Sequence, residues 1–384
     1  MTLREPQATA DTLSSSRLGE GTATERELSR QPDVWREAGR IVADRREALD
    51  AFLAPLLAAP DLRIVLTGAG SSAFVGEVAA PALSRRLHRR IEAVATTDLV
   101  SDPAGRLAED VPTLLVSFAR SGDSPESLAA TETADRVLRD VHHLVITCAA
   151  EGRLARVHAD RPRSFVLLTP ERSNDEGFAM TSSFTSMLLS VLLVLLGDDE
   201  QVVGAVADAG AQVLDARARI EALAARAPER IVFLGSGPLA GIARESALKV
   251  LELTAGGIDT YFDSALGFRH GPKAVVDGAT LVVVYASADP YTSRYDDDIA
   301  RELRAAIGDD AVLTVRASGG GEADWVLRGL DGLDDGWLAV PFVLVGQLLA
   351  LTASVNAGVP TDNPFPGGAV NRVVQGVTIH PLED

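Results

Sequence analysis

The chain is poor in several things at once. Its 384 residues hold one cysteine, Cys148, which excludes an intrachain disulfide framework and any cysteine-based zinc site, and fits a reducing cytoplasm. Positive charge is scarce: 36 Lys and Arg stand against 54 Asp and Glu, a formal net charge of −18. A field of that sign repels polyanions, so no nucleic acid is expected as a partner. Any anionic substrate must instead be held by local geometry, through N–H groups and hydroxyls of a loop. An apolar leader is missing too, because Met1 to Arg30 carries scattered Arg, Glu and Asp with no small-residue cleavage pattern; a signal peptide is not expected. The longest apolar stretches, Met187 to Leu196 and Leu338 to Val345, are about half the roughly 20 residues of a membrane span. They read as buried helices, and no membrane is expected as a partner.

What the chain does have is an internal repeat. The run Arg63 to Gly70 (RIVLTGAG) is echoed by Arg230 to Gly237 (RIVFLGSG), an offset of 167. At the same offset Ile91-Glu92 falls on Ile258-Asp259, Thr113 to Val116 on Thr280 to Val283, and Val145 to Thr147 on Val312 to Thr314. Each piece is a short continuous apolar run ending in a small or polar residue, the pattern of a strand buried on both faces of a parallel sheet. Between the runs lie stretches with helical spacing, such as Ser72 to Leu87 and Pro125 to Leu138. The alternation predicts an α/β fold of two doubly wound parallel-sheet domains related by duplication. The expected division is a helical arm over 1–47, built around Val34, Trp35, Ala38, Ile41 and Val42, a first domain over 48–215 and a second over 216–384.

The copies differ at the strand ends, where open α/β sheets bind ligands. After its first strand copy one has Gly70-Ser71-Ser72-Ala73, whereas copy two has Gly237-Pro238-Leu239-Ala240. After the Thr113 to Val116 strand copy one reads Ala119-Arg120-Ser121-Gly122-Asp123-Ser124-Pro125, and at the offset Ser121 has become Ala288. Ser121 and Ser124 offer hydroxyls, Gly122 allows close approach, and Pro125 suits the first position of a helix whose free N–H groups face the loop. Taken singly, such a loop reads equally as a serine-capped helix start with Glu126 complementing the dipole. Two such loops in one copy, both degraded in the other, favour a phosphate seat, with Asp123 and Glu126 as the unfavourable charges.

Copy two carries another constellation. Glu245, Lys249 and Glu252 are spaced i, i+4, i+7 and share one helical face. By charge pattern alone that face reads as a solvated, salt-bridged stripe. His270, in Gly267-Phe268-Arg269-His270-Gly271-Pro272, sits in a tight loop and is either a structural hydrogen-bonder or a catalytic group.

With these residues in view the chain resembles the double sugar isomerase (SIS) domain proteins, whose archetype is the isomerase half of glucosamine-6-phosphate synthase. The matching pieces are Gly70-Ser71-Ser72, Ala119 to Ser124, Ala247-Leu248-Lys249-Val250-Leu251-Glu252 and His270-Gly271-Pro272. The finer detail is similar to the tagatose-6-phosphate ketose/aldose isomerase family, which includes galactosamine-6-phosphate deaminases; it lies in Ala119 to Ser127, Met180 to Met187 with Thr181, and Asp362-Asn363-Pro364 through Asn371 to Gly376. The resemblance implies two tandem flavodoxin-like SIS domains. It also implies a phosphosugar substrate bound by Gly70, Ser71, Ser72, Arg120, Ser121, Gly122, Ser124, Thr181 and Gln375. Glu252 is implied to move the proton between C1 and C2, and His270 to open the sugar ring from a neighbouring subunit, in a homodimer or higher homo-oligomer. The synthase's C-terminal Schiff-base lysine aligns with Gln375, and no nucleophilic cysteine lies near the start, so glutamine-dependent amination is not expected.

The chemistry that follows needs one carboxylate over both carbons, with Lys249 one turn back stabilising a developing oxyanion or Glu252 itself. No cofactor is expected, and no clustered His/Asp set suggests a metal. Galactosamine 6-phosphate would give tagatose 6-phosphate and ammonium. The other readings are plain phosphosugar isomerisation, a deglycase acting on phosphorylated fructosamines, and a non-catalytic phosphosugar sensor.

Overall fold

The structure, a computed structural model, describes residues 21–382 apart from 198, 322, 323 and 375. The polar lead up to residue 20 and Gln375 therefore lie outside the described residues. The apolar runs form strands. β1 (Arg63–Thr67), β2 (Ile91–Ala93), β3 (Thr113–Ala119), β4 (Val141–Thr147) and β5 (Ser164–Leu168) make one sheet in the order β2-β1-β3-β4-β5. β6 (Arg230–Gly235), β7 (Asp259–Asp263), β8 (Thr280–Tyr285), β9 (Val312–Arg316) and β10 (Asp324–Val326) make a second in the matching order β7-β6-β8-β9-β10. The paired strands are parallel, and β1, β3 and β8 are buried along their whole length, which explains their unbroken apolar character. The repeat extends to register: Ile64 pairs with Leu114 and Ile231 with Leu281, both partners displaced by 167.

Ahead of the first sheet come α1 (Ala23–Ser29), α2 (Gln31–Asp44) and α3 (Arg46–Leu57). Within it lie α4 (Ser71–Leu87), α5 (Thr96–Ser101), α6 (Pro103–Arg106), α7 (Pro125–Val137) and α8 (Arg153–His158). Then follow α9 (Ser182–Leu196), α10 (Glu200–Asp215) and α11 (Arg217–Ala224), and with the second sheet α12 (Pro238–Leu253), α13 (Thr292–Ile307) and α14 (Asp335–Asn356). The expected helices over 72–87 and 125–138 are α4 and α7. The N-terminal arm packs on the body: Trp35 is fully buried and its Nε1 donates to Thr185 Oγ1 at 2.9 Å.

One length differs from the sequence reading. The apolar stretch at Leu338 belongs to α14, which runs for 22 residues and contains an 18-residue window of mean hydropathy 2.1, long and apolar enough to cross a membrane by length and composition. The run is interrupted at Gln347, whose amide donates to Thr181 O and accepts from Gln31, so the helix continues through it. Because 89 % of that window is buried inside the fold, α14 is a core helix.

The core lies between the sheets. Ile64 and Leu66 of β1, with Ile231 and Phe233 of β6, face one shared apolar cluster filled by α2, α4, α9, α10, α12 and α14. Alternate residues point the other way, as a strand's period of two requires: Val65 meets α5 and α7, and Val232 and Leu234 meet α13. Inside the shared core α4 and α12 pack antiparallel. Gly241 makes this possible, since a Cβ there would lie 2.6 Å from Val78 Cγ2. The strand order reverses between β1 and β3, so the loops after these two strands flank the crevice where such sheets bind ligands.

Candidate active site

Gly70 opens the first loop at φ 56°, and Gly237 holds the same place in copy two at φ 57°. The backbone turn is thus preserved in both copies while the side chains beyond it are not. Ser71 and Ser72 start α4 and are buried. In the second loop Gly122 adopts φ 69° and its carbonyl accepts from Leu154 N–H at 2.9 Å. Ser121 Oγ accepts from Asp123 N–H at 3.3 Å, and Ser124 Oγ shares a hydrogen with Ser127 Oγ at 2.7 Å rather than capping α7. Asp123 is engaged at the start of α8, where its Oδ1 accepts the Arg153 N–H at 3.0 Å. Arg120 is nearly buried, donating to Phe178 O at 3.0 Å and to Arg372 O at 2.8 Å.

The Glu245, Lys249 and Glu252 face is not a solvated stripe. Lys249 is 1 % exposed and Glu245 is fully buried, whereas Glu252 keeps 24 % of its side chain accessible. Lys249 Nζ donates to Ser71 Oγ at 3.0 Å and to Glu252 Oε2 at 2.5 Å, and lies 3.4 Å from Glu245 Oε1. The second-copy helix is thereby joined to the first-copy loop that carries Ser71. Burial pushes the Glu245 carboxyl up to about 7, with Lys249 opposing the rise and Glu252 adding to it. Burial also acts to lower the Lys249 ammonium, but the two carboxylates outweigh it and hold it above its ordinary value. Arg120 is close enough for its charge to act on both Lys249 and Glu252, and its own guanidinium is lowered, chiefly by burial.

Two expected site residues stand apart from this cluster. Thr181 is fully buried, and its N–H and hydroxyl both donate to Asp175, at 2.8 and 2.9 Å, as part of the N-terminal cap of α9. His270 is exposed at the end of a 3-10 turn. The adjoining Phe268 packs on the outer face of the second sheet, with α13, and Arg269 pairs with Glu302 of α13 at 2.5 Å. Glu252 lies on the helix that covers the opposite face, so one chain does not bring His270 and Glu252 together.

The second copy's crevice already holds carboxylates. Ser236 Oγ and Ser287 N–H donate to Asp296 at 2.9 and 3.0 Å, while Ser287 Oγ and Ala288 N–H donate to Asp335 at 2.5 and 2.7 Å. Both acids are buried; burial raises Asp296 to about 6 and also lifts Asp335. The second copy's counterparts of the Gly70 and Ser121 loops therefore have internal carboxyl groups bound to them. Sequence reading did not find Asp296, Asp335 or Glu27, which act on residues 60, 47 and 149 positions away, nor Asp175, which acts six to eight positions on at the start of α9, and it left the burial of Glu245 undetected.

The SIS domain family matches residues 56–197. The D-galactosamine-6-phosphate deaminase AgaS of Shewanella sp. (strain ANA-3) is 44 % identical over 362 residues, covering 94 % of this chain and 92 % of its own. This chain belongs to the AgaS family of SIS-domain proteins. The AgaS protein of Streptomyces coelicolor is 59 % identical over 369 residues, covering 94 % of this chain and 96 % of its own. Among solved structures, the tagatose-6-phosphate ketose/aldose isomerase from Escherichia coli superposes with a TM-score of 0.88 at 42 % identity, over 96 % of this chain and 98 % of its own. Like these AgaS relatives, the chain is built of two tandem SIS-type sheets, and it is an enzyme of sugar-phosphate isomerisation and deamination.

Proposed function

We propose that the protein converts galactosamine 6-phosphate and water into tagatose 6-phosphate and ammonia. The observation that carries this reading is the Ser71–Lys249–Glu252 chain, which sets a partly accessible carboxylate and a buried cation beside a crevice rich in hydroxyls. The phosphate binds at the loops holding Gly70, Ser71, Ser72, Arg120, Ser121, Gly122 and Ser124, where hydroxyls and the Arg120 guanidinium supply donors that the net charge of the chain does not. In the open-chain amino sugar Glu252 takes the proton from C2 and returns it to C1. The resulting iminium at C2 is attacked by water, and its C–N bond breaks to leave the ketose and ammonia. Lys249, fixed between two carboxylates, stays protonated and stabilises the oxyanion that develops at O1.

His270 opens the sugar ring from a second subunit. Its position across the second sheet from Glu252 supports this, as do the exposed Phe262 and Leu266 nearby, 40 and 50 % accessible, which a partner can cover. The enzyme works in the cytoplasm as a homo-oligomer.

The deciding assay is ammonium release with ketose formation from a panel of hexosamine 6-phosphates, comparing wild type with Glu252→Gln. Near-full activity in the variant rejects Glu252 as the proton carrier. Ketose formed without ammonium marks a plain isomerase, and a free amino acid released from a phosphorylated fructosamine marks a deglycase. Mixing inactive Glu252→Gln and His270→Asn proteins under subunit exchange restores activity if the site is shared, and restores none if each chain is self-sufficient.

A further inference from the structure

The serine loops do not aim Arg120 by themselves. Its two carbonyl partners are Phe178 O and Arg372 O, and Arg372 in turn donates from Nε to Gly177 O at 3.1 Å and from Nη2 to Asp175 O. Both guanidiniums are therefore directed by one short segment, residues 175–178. That segment is gripped from its other side by α1. Glu27 Oε1 accepts the N–H groups of Glu176 at 2.5 Å and Gly177 at 3.1 Å. The Glu27 side chain is 1 % exposed, and its Oε2 is buried without a hydrogen-bond partner among the described residues. The contact is close: a Cβ on Gly177 would lie 2.7 Å from Thr24 Oγ1 and 3.0 Å from Glu27 Oε2. The first turn of α1 is also clasped by the tail that carries Arg372, since Asp362 accepts from Ala23 N–H at 2.8 Å, Thr24 N–H at 2.9 Å and Thr24 Oγ1 at 2.8 Å.

We propose that Glu27 is a positioning residue for the phosphate seat: through the 175–178 segment it sets the direction in which Arg120 and Arg372 present their remaining N–H groups to the substrate phosphate. The proposal rests on the reading that the first-copy loops hold a phosphate. A buried carboxylate is costly to a fold that needs only packing from α1, and an apolar residue would serve that purpose better. Two adjacent amides on one oxygen, however, fix a loop in direction as well as in distance. A guanidinium has five N–H donors in a planar fork, and the carbonyl contacts use only part of each, so turning the carbonyls turns what is left for an anion.

The test compares wild type, Glu27→Ala, Glu27→Gln and Gly177→Ala in two readouts: steady-state kinetics on the phosphosugar, and the rise in Tm produced by inorganic phosphate. Glu27→Ala is expected to raise KM about tenfold or more while kcat changes less than about threefold, and to lose the phosphate-induced rise in Tm. Glu27→Gln keeps an acceptor oxygen toward both amides and is expected to stay within about twofold of the wild-type KM. Gly177→Ala forces the segment off Glu27 with the carboxyl intact and is expected to behave like Glu27→Ala, which keeps the proposal testable if Glu27→Ala does not fold. A fall in Tm with KM and the phosphate response unchanged assigns Glu27 a merely structural role and overturns the proposal, as does a wild type whose Tm does not respond to phosphate. If phosphate stabilises wild type but not Glu27→Ala, and no phosphosugar is turned over, the reading of function falls and the positioning role stands.

Discussion

Ser71 Oγ and Lys249 Nζ meet at 3.0 Å although they come from different copies of the duplicated unit. Their counterparts at the 167-residue offset, Pro238 and Ala82, can form no such bond. The Ser71–Lys249–Glu252 cluster is thus a product of how the copies pack on each other, and neither half contains it alone.

The packing gives Lys249 a part in stability, whatever its part in the chemistry. Above about pH 7, where Glu245 is ionised, Lys249→Met leaves that buried carboxylate without its cation, and breaking a buried pair from one side costs about 3–5 kcal/mol. Replacing both members, as Lys249→Met with Glu245→Leu, is expected to recover most of that loss while leaving the enzyme inactive. Urea unfolding of the three proteins checks this; a double variant no more stable than Lys249→Met alone counts against it.

Stability should also depend on pH through Glu245. In the folded chain its carboxyl keeps its proton up to about 7, against an ordinary value of 4.5. The native state therefore binds the more protons between these values, and stability falls as pH rises through 4.5 to 7, then levels off. For this fully buried group the fall is on the order of 3 kcal/mol. Glu245→Gln removes that contribution, so its unfolding free energy should drop less than that of wild type between pH 5 and 7.5. Equal drops would contradict the assignment.

On the acid side His158 acts in the opposite sense. It is fully buried, lies tilted against His143 with ring centroids 4.7 Å apart, and shares a hydrogen with Ser164 Oγ at 2.9 Å. Burial, with the charges of His143 and Arg161, pushes it down to about 4 from 6.5. Its contribution is complete above 6.5 and is lost as pH falls toward 4, because the unfolded chain takes the proton first. His158→Phe should flatten the loss of stability between pH 6.5 and 4, measured by urea unfolding; a slope unchanged from wild type would show that another group is responsible.

The strands were legible because a sheet covered on both faces leaves unbroken apolar runs, and the repeat was legible because β1 to β4 kept their spacing in β6 to β9. The serine loops stood out for the same reason, as places where one copy had changed. Burial was not legible. Glu245, Lys249 and Glu252 have the spacing of a solvated stripe, and the hydroxyl that meets Lys249 is that of Ser71, 178 positions earlier on a helix that only folding brings near. Glu27 and the amides it holds are likewise 149 and 150 positions apart, with no local pattern to mark them. The length of α14 was hidden by Gln347, a polar residue whose partners, Gln31 and Thr181, come from elsewhere in the chain.

Asp296 and Asp335, seated on the second copy's loops, bear on stoichiometry. The backbone offers two crevices of the same make, yet one is self-liganded by carboxylates that no small anion can displace without leaving them buried and unpaired. Calorimetric titration of the chain with a phosphosugar should therefore saturate at one molecule per polypeptide, an asymmetric count from a nearly symmetric frame.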